Sequence, residues 1–238
     1  MKSVFLSNFF EKRKTVETLI DESRVDAGYY LFLFFSTFIV ALGLIFGNAV
    51  IIMAGMLIAP ILSPILSLGM GIATTSRRAI VRSVIILIRT AVLITGISFV
   101  VAFLTGQRGI TDEMILASSP DIWLFLVAFF SGIVAAYSWI KQNTSVTLPS
   151  IALSISIIVP LSAVGIVLGS LPMLHEVLFG ATVLFAINLL WVVVASTIVF
   201  VLFGFSNLQQ WQEKKIEDEK NILAEIKKDK EEAKNAIT

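Results

Sequence analysis

Pro60 and Pro64 stand four residues apart in an apolar stretch, with Ser63 and Ser67 beside them. Pro160 stands in a second apolar stretch between Ser156 and Ser162. Proline has no backbone N–H, and its ring clashes with the carbonyl four residues back. In a helix the carbonyls of Met56, Pro60 and Ser156 therefore lose their usual partners. An unpaired carbonyl inside a bilayer is costly, so such places must face protein, water or a bound species. The hydroxyls of Ser63, Ser67, Ser154, Ser156 and Ser162 lie close enough in sequence to line a wet pathway there. A plain kink, satisfied by the same serines, is the alternative.

Arg89 adds a charge. It lies ten residues into the apolar run 79–104, about 15 Å from its start by helical rise. An arginine at that depth costs about 2.5–3.5 kcal/mol on insertion scales. The acids nearest the apolar runs, Asp26, Asp121 and Glu176, all sit near their ends. The partners open to Arg89 are freed carbonyls, hydroxyls, Asn188, water or a bound anion. Arg82, seven residues earlier, shares nearly the same helix face. Two readings stand side by side: an anion site, or a guanidinium that snorkels to the headgroups or caps a carbonyl. Asn188, halfway along the last apolar run, reads either as a helix-to-helix hydrogen bond or as part of the pathway.

The elements that would position these groups follow from composition. The 238 residues are 57% apolar and only 15% charged. Ten charges fall in residues 1–26 and fifteen in 206–238, leaving ten for the 179 residues between. A soluble domain carries about 25% charge, so the middle reads as a membrane domain. A bilayer core needs about 20 apolar residues per helix, and six runs qualify: 27–46, 49–74, 79–104, 122–140, 148–169 and 177–203. They are too long for barrel strands and do not alternate. Basic residues in the connecting segments set the orientation. With the N-terminus in the cytoplasm, Lys12, Arg13, Lys14, Arg24, Arg77, Arg78, Lys141, Lys214 and Lys215 lie inside, and Arg108 alone lies outside. Both termini are thus expected in the cytoplasm, at the cell membrane.

The two halves resemble each other. Residues 26–41 match 121–136 through the aspartate and a Phe-Phe-Ser triplet; Ile51, Ile58, Pro60, Leu68 and Gly69 match Ile151, Ile158, Pro160, Leu168 and Gly169 at an offset of 100. Three spans are an odd number of crossings, so a second copy enters the membrane from the other side. The reading is all-α: six transmembrane helices as two inverted repeats, 27–106 and 121–204, with proline-broken second and fifth helices. In transporters of that design the site lies near the midplane, where interrupted helices meet. An old duplication kept as a packing scaffold is the alternative. Small residues every four positions, Gly55, Ala59, Ser63, Ser67 and Gly71, form a ridge that admits close helix packing; Ala128, Gly132 and Ala136 form a shorter one.

The stretch from Gly55 to Ile65, Gly-Met-Leu-Ile-Ala-Pro-Ile-Leu-Ser-Pro-Ile, preceded by Asp26 to Gly43, resembles the signature of a family of bacterial and archaeal integral membrane proteins. That family is known only as an uncharacterised hydrophobic domain, a domain of unknown function. Pro160-Leu161, Gly165, Asn188 and Gly204 resemble its later stretch, and the likeness spans roughly residues 25–205. Two positions depart from it: Ala54-Gly55 reverses the usual Gly-Ala order, and Val159 replaces the first of two prolines. The resemblance implies a multi-span prokaryotic membrane protein and supplies no activity.

Absences narrow the chemistry. Basic and acidic residues balance, at 18 and 17, so no basic field for nucleic acid exists. There is no cysteine, and the single histidine, His175, lies beside Glu176 in a short connection. No metal site, cofactor or catalytic set is expected, and no enzyme. Residues 1–26 read as an amphipathic cytoplasmic segment on the inner leaflet. Residues 206–238 read as a charged cytoplasmic helix, with Ile216, Leu223, Ile226, Ala233 and Ile237 in a broken heptad pattern. If that tail pairs, the protein is a homo-oligomer; otherwise it only solubilises the end. The leading expectation is a transporter or channel for a small solute, an anion, through Pro60, Ser63, Pro64, Ser67, Arg82, Arg89, Ser156, Pro160, Ser162 and Asn188. The rival is a scaffold or regulatory subunit that holds partner proteins through its helices.

Overall fold

A computed structural model describes residues 9–106, 109–141, 147–170, 175–218 and 220–221. The described residues hold helices and turns and no strand. In chain order the helices are α1 (Phe9–Glu22), α2 (Ala27–Phe46), α3 (Ala49–Ile58), α4 (Leu62–Ala73), α5 (Arg77–Thr105), α6 (Asp112–Leu116), α7 (Ile122–Ile140), α8 (Thr147–Gly169) and α9 (His175–Leu202). A 3₁₀ turn, Ser206–Leu208, leads into α10 over residues 209–218. Leu223, Ile226, Ala233 and Ile237 of the heptad pattern, and Arg108, lie outside the described residues.

Four helices, α2, α5, α7 and α9, are each long and apolar enough to cross a membrane; α3 and α4 together make a fifth such segment, bent by 59°. Local chemistry sets their limits. The Asp26 carboxylate accepts from the Tyr29 N–H at the start of α2. At its other end Gly47 takes the left-handed conformation at φ 61°, and Asn48 caps α3 through the N–H groups of Val50 and Ile51. Ser76, Thr111 and Asp121 cap α5, α6 and α7 in the same way. Each such cap satisfies an N–H that the first helical turn leaves unpaired.

Helices α4 and α8 form the centre. Apart from Ser63 and Ile72, every residue of α4 is buried, and α8 packs against α2, α3, α5, α7 and α9. Helix α9 packs on α4, α7 and α8, while α5 packs on α2, α4 and α8. Glycines make these approaches possible. A β-carbon on Gly165 would lie 2.3 Å from the Thr95 carbonyl oxygen of α5, and one on Gly132 would lie 2.9 Å from that of Val192 on α9. The interior is apolar with hydroxyls set into it, and much of the surface is apolar too. Ser36, Thr37, Ser83, Thr90, Ser98 and Ser196 are buried, while Phe32, Phe35, Val92, Phe103, Phe130 and Leu202 are exposed. Such a surface suits hydrocarbon, and hydroxyls at helix crossings join neighbours without a charge.

Three expectations change. Helix α8 runs through Pro160 without a break, so only the first proline segment is broken. Helix α1 does not lay its apolar face on a lipid leaflet: Val16, Leu19 and Ile20 are fully buried against the protein, where α1 meets α4 and α7. Near helix ends amphipathic aromatic rings favour the headgroup layer, yet Tyr29 and Trp139, close to the ends of α2 and α7, are buried too, the Tyr29 hydroxyl lying 2.7 Å from that of Thr90.

A polar layer gathers at one end. Arg82 donates to the Ser23 hydroxyl and the Ile20 carbonyl of α1, and Lys12 to the Gly204 carbonyl. The Arg13 guanidinium lies 4.2 Å over the Trp211 ring. Helix α10 is not merely solvated. Gln209, Gln212 and Glu213, on one of its faces, bond to Thr75, Thr74 and Ser76 in the turn between α4 and α5, and Glu217 on the same face bonds to Arg78 in the first turn of α5. Thr75 has a φ of 57°, a conformation that favours glycine, and its carbonyl accepts from Gln209.

Candidate functional site

The first proline segment interrupts the backbone. Helix α3 ends at Ile58 and α4 starts at Leu62, with Ala59, Pro60 and Ile61 between them. The Met56 carbonyl, which Pro60 leaves without its helical partner, accepts instead from the Ala59 N–H at 3.3 Å. The Gly55 carbonyl accepts from Ser36 at 2.8 Å, tying α3 to α2. Among the described residues the carbonyls of Leu57, Ala59 and Pro60 find no backbone partner, nor do the N–H groups of Ile61 and Ser63.

The start of α4 is the exception among the capped helices. Its N-cap, Ile61, offers no side-chain oxygen, whereas α2, α3, α5, α6 and α7 each begin on one. Pro64 lacks an N–H in any case, and the Ser63 hydroxyl is half-buried with no partner among the described residues. Ala59 and Pro60 are half-buried, and Leu57 and Ile58 exposed. The break therefore brings the positive end of one half-helix beside the negative end of another, in a place that is neither core nor open surface.

The second proline site is closed. Pro160 withdraws the usual donor from the Ser156 carbonyl, and the Asn188 side-chain amide replaces it from α9 at 3.1 Å. Pro160, Ser154, Ser156, Ser162 and Asn188 are all buried. Two oxygens there, those of the Ser162 hydroxyl and the Asn188 side chain, have no hydrogen-bond partner among the described residues. The bond between Asn188 and Ser156 is the helix-to-helix role that a mid-helix asparagine commonly fills.

The structure separates the other sequence candidates. Ser67 is buried and accepts from the Ser83 hydroxyl at 3.0 Å, joining α4 to α5. Arg82 is engaged with α1 and lies away from the break. Arg89 lies on the exposed side of α5 and has no hydrogen bond or ion pair among the described residues, those of the break included. The small-residue ridge is divided by the bend: a β-carbon on Gly55 would meet Val40 and Ser36 of α2, and one on Gly71 would meet Ala79 and Ile80 of α5. Gly69, which sequence did not single out, lies under Ser196 of α9, and its carbonyl accepts from Thr197. Its only prior signal was its place in the matched halves.

Long apolar helices around one interrupted helix, with hydroxyls at the crossings, define an all-helical protein of the kind suited to a bilayer. The chain belongs to the family described as Domain of unknown function (DUF389), whose model matches residues 56–195 and so takes in both proline sites. It is similar to Uncharacterized protein MJ0678 of Methanocaldococcus jannaschii, with 22% identity over 182 residues, 76% of this chain and 56% of that protein. The chain therefore spans little more than half the length of that relative. No solved structure matches it.

Proposed function

We propose that the protein carries a small anion across the cell membrane at the broken segment between α3 and α4. The observation that carries this reading is the uncapped start of α4, where unpaired N–H groups and the Ser63 hydroxyl converge in a half-buried place. Helix N-termini attract anions through their unpaired N–H groups and the helix dipole. Interrupted helices at mid-depth are the usual source of such ends in transporters.

In this reading α8 is a sixth span, its 23 residues being about 34 Å long by helical rise. The six spans form two inverted units, α2 to α5 and α7 to α9. Reciprocal packing supports the repeat: α5 packs on α8, and α9 packs on α4. The third helix of each unit thus covers the proline helix of the other. Each unit also opens on an aspartate cap, Asp26 and Asp121. The basic residues at the ends, with Arg77 and Arg78 in the first turn of α5, favour cytoplasmic termini, with residues 1–26 and 206–238 there and 27–205 in the membrane.

The test is flux. Full-length protein in sealed liposomes is expected to pass at least one of chloride, nitrate, phosphate or sulfate, and Pro60→Ala/Pro64→Ala is expected to lose it while staying folded. No flux of any of these from folded protein would contradict the reading and favour the scaffold.

A further inference from the structure

Among the described residues, Arg89 and groups of the broken segment lack hydrogen-bond partners at the same level of the molecule. Helices α4 and α5 form an antiparallel hairpin, with Gly71 against Ala79 and Ile80 and Ser67 bonded to Ser83. Counting six residues back from Ser67 on the α4 side and six forward from Ser83 along α5 puts Ile61 level with Arg89. The bonds and packing of α5 explain why Arg89 cannot turn inward: Thr90, the next residue, is buried against Tyr29, while Ile88 and Val92 share the exposed side with Arg89.

Copies of one chain inserted in one bilayer in one orientation place equal residues at equal depth. A surface group can then meet on a neighbour only groups of its own level. For Arg89 that level holds the unpaired carbonyls of Ala59 and Pro60, on a half-buried stretch next to the exposed Leu57 and Ile58. A guanidinium offers five N–H donors and no acceptor, so lone carbonyls are suitable partners.

The apolar surroundings agree in shape. Beside Arg89, an open groove of about 380 Å³ runs between α5 and α8, lined by Ala91, Val92, Thr95, Gly96, Phe99 and Leu168. Gly96 has nothing within 4 Å of where a β-carbon would stand, so no contact within the chain requires glycine there. On the other side, α3 presents Val50, Met53 and Leu57, all about half exposed or more, as side chains to fill such a groove.

We propose that Arg89 of one copy completes the broken segment of the next, capping its free carbonyls and giving the neighbouring anion site its positive charge. This rests on the pathway reading for the purpose of that charge. The interface is head-to-tail, because the α5 face of one copy meets the α3–α4 face of another, so repetition in the membrane plane gives a ring if its rotation closes and an open row if it does not.

The chain has no cysteine, so two differently tagged full-length copies, one Val92→Cys and one Leu57→Cys, are coexpressed and treated in native membranes with a short bis-maleimide. Linkage between the two tags, with neither variant linking to itself, is expected. Adding Arg89→Gln to the Val92→Cys copy should lower the yield about tenfold, the factor of one lost charge-assisted hydrogen bond, and Arg89→Lys should recover part of it. Self-linkage of Val92→Cys, no linkage at all, or linkage indifferent to Arg89→Gln would each overturn the proposal. Linkage without anion flux would instead leave the interface standing and remove the pathway. Flux without linkage would do the reverse.

Discussion

The two proline sites begin from the same chemistry and end differently. At Pro160 the freed Ser156 carbonyl is met by Asn188 from α9, the helix stays continuous and its surroundings are buried. At Pro60 and Pro64 there are two missing N–H groups within one turn, no asparagine among the described residues bonds to them, and the chain bends by 59°. A single missing hydrogen bond is repaired by one amide. Two in succession leave free groups on both sides of a break. The contrast separates a proline whose freed carbonyl is met from a pair whose freed groups stay open.

The contrast can be broken or sharpened by substitution. The largest effect is expected from Gly165→Val, which drives a side chain into the Thr95 carbonyl and parts α5 from α8. Overpacking of that kind costs about 3 kcal/mol, so the thermal midpoint in detergent should fall steeply or the protein should not fold. Asn188→Leu comes next. It strands the buried Ser156 carbonyl at a cost of about 1–2 kcal/mol, and also removes the orphan oxygen of Asn188 itself. Pro160→Ala returns an N–H to Ser156, so the penalty of Asn188→Leu should shrink in that background; equal penalties in both would refute the repair.

At the first site the sign reverses. Pro64→Ala supplies the Pro60 carbonyl with a donor and should raise stability by about 1 kcal/mol, while reducing flux. A drop in stability would mean that the break is already satisfied. The smallest effect is expected at the polar end. Arg78 and Glu217 pair at 2.6 Å but are half exposed, and exposed pairs contribute about 0–1 kcal/mol. Arg78→Gln should therefore leave the thermal midpoint nearly unchanged.

Much of this was legible in the sequence. The limits of α2 and α7 are those of the apolar runs 27–46 and 122–140, because run length and the flanking aspartates and glycine fix where these helices start and stop. Pro60 and Pro64 placed the bend, and Pro160 named the carbonyl that Asn188 takes. The direction in which Arg89 faces was not legible. On a helix such as α5, packed on one side and apolar on the other, both faces carry the same residue types, and the periodic signal that orients a soluble helix fades. The docking of α1 escaped for a related reason: its apolar side chains suit a lipid leaflet and a protein surface equally well. The continuity of α8 depended on a donor from another helix, which no local pattern announces.

The most direct measurement of the central claim is water access at the two proline sites. Single cysteines at Ser63 and Ser162, in the otherwise cysteine-free chain, are exposed in intact membranes to a small membrane-impermeant thiol reagent. Ser63→Cys is expected to be modified and Ser162→Cys is not. Equal reactivity at both positions, or none at Ser63→Cys in folded protein, would contradict the central claim.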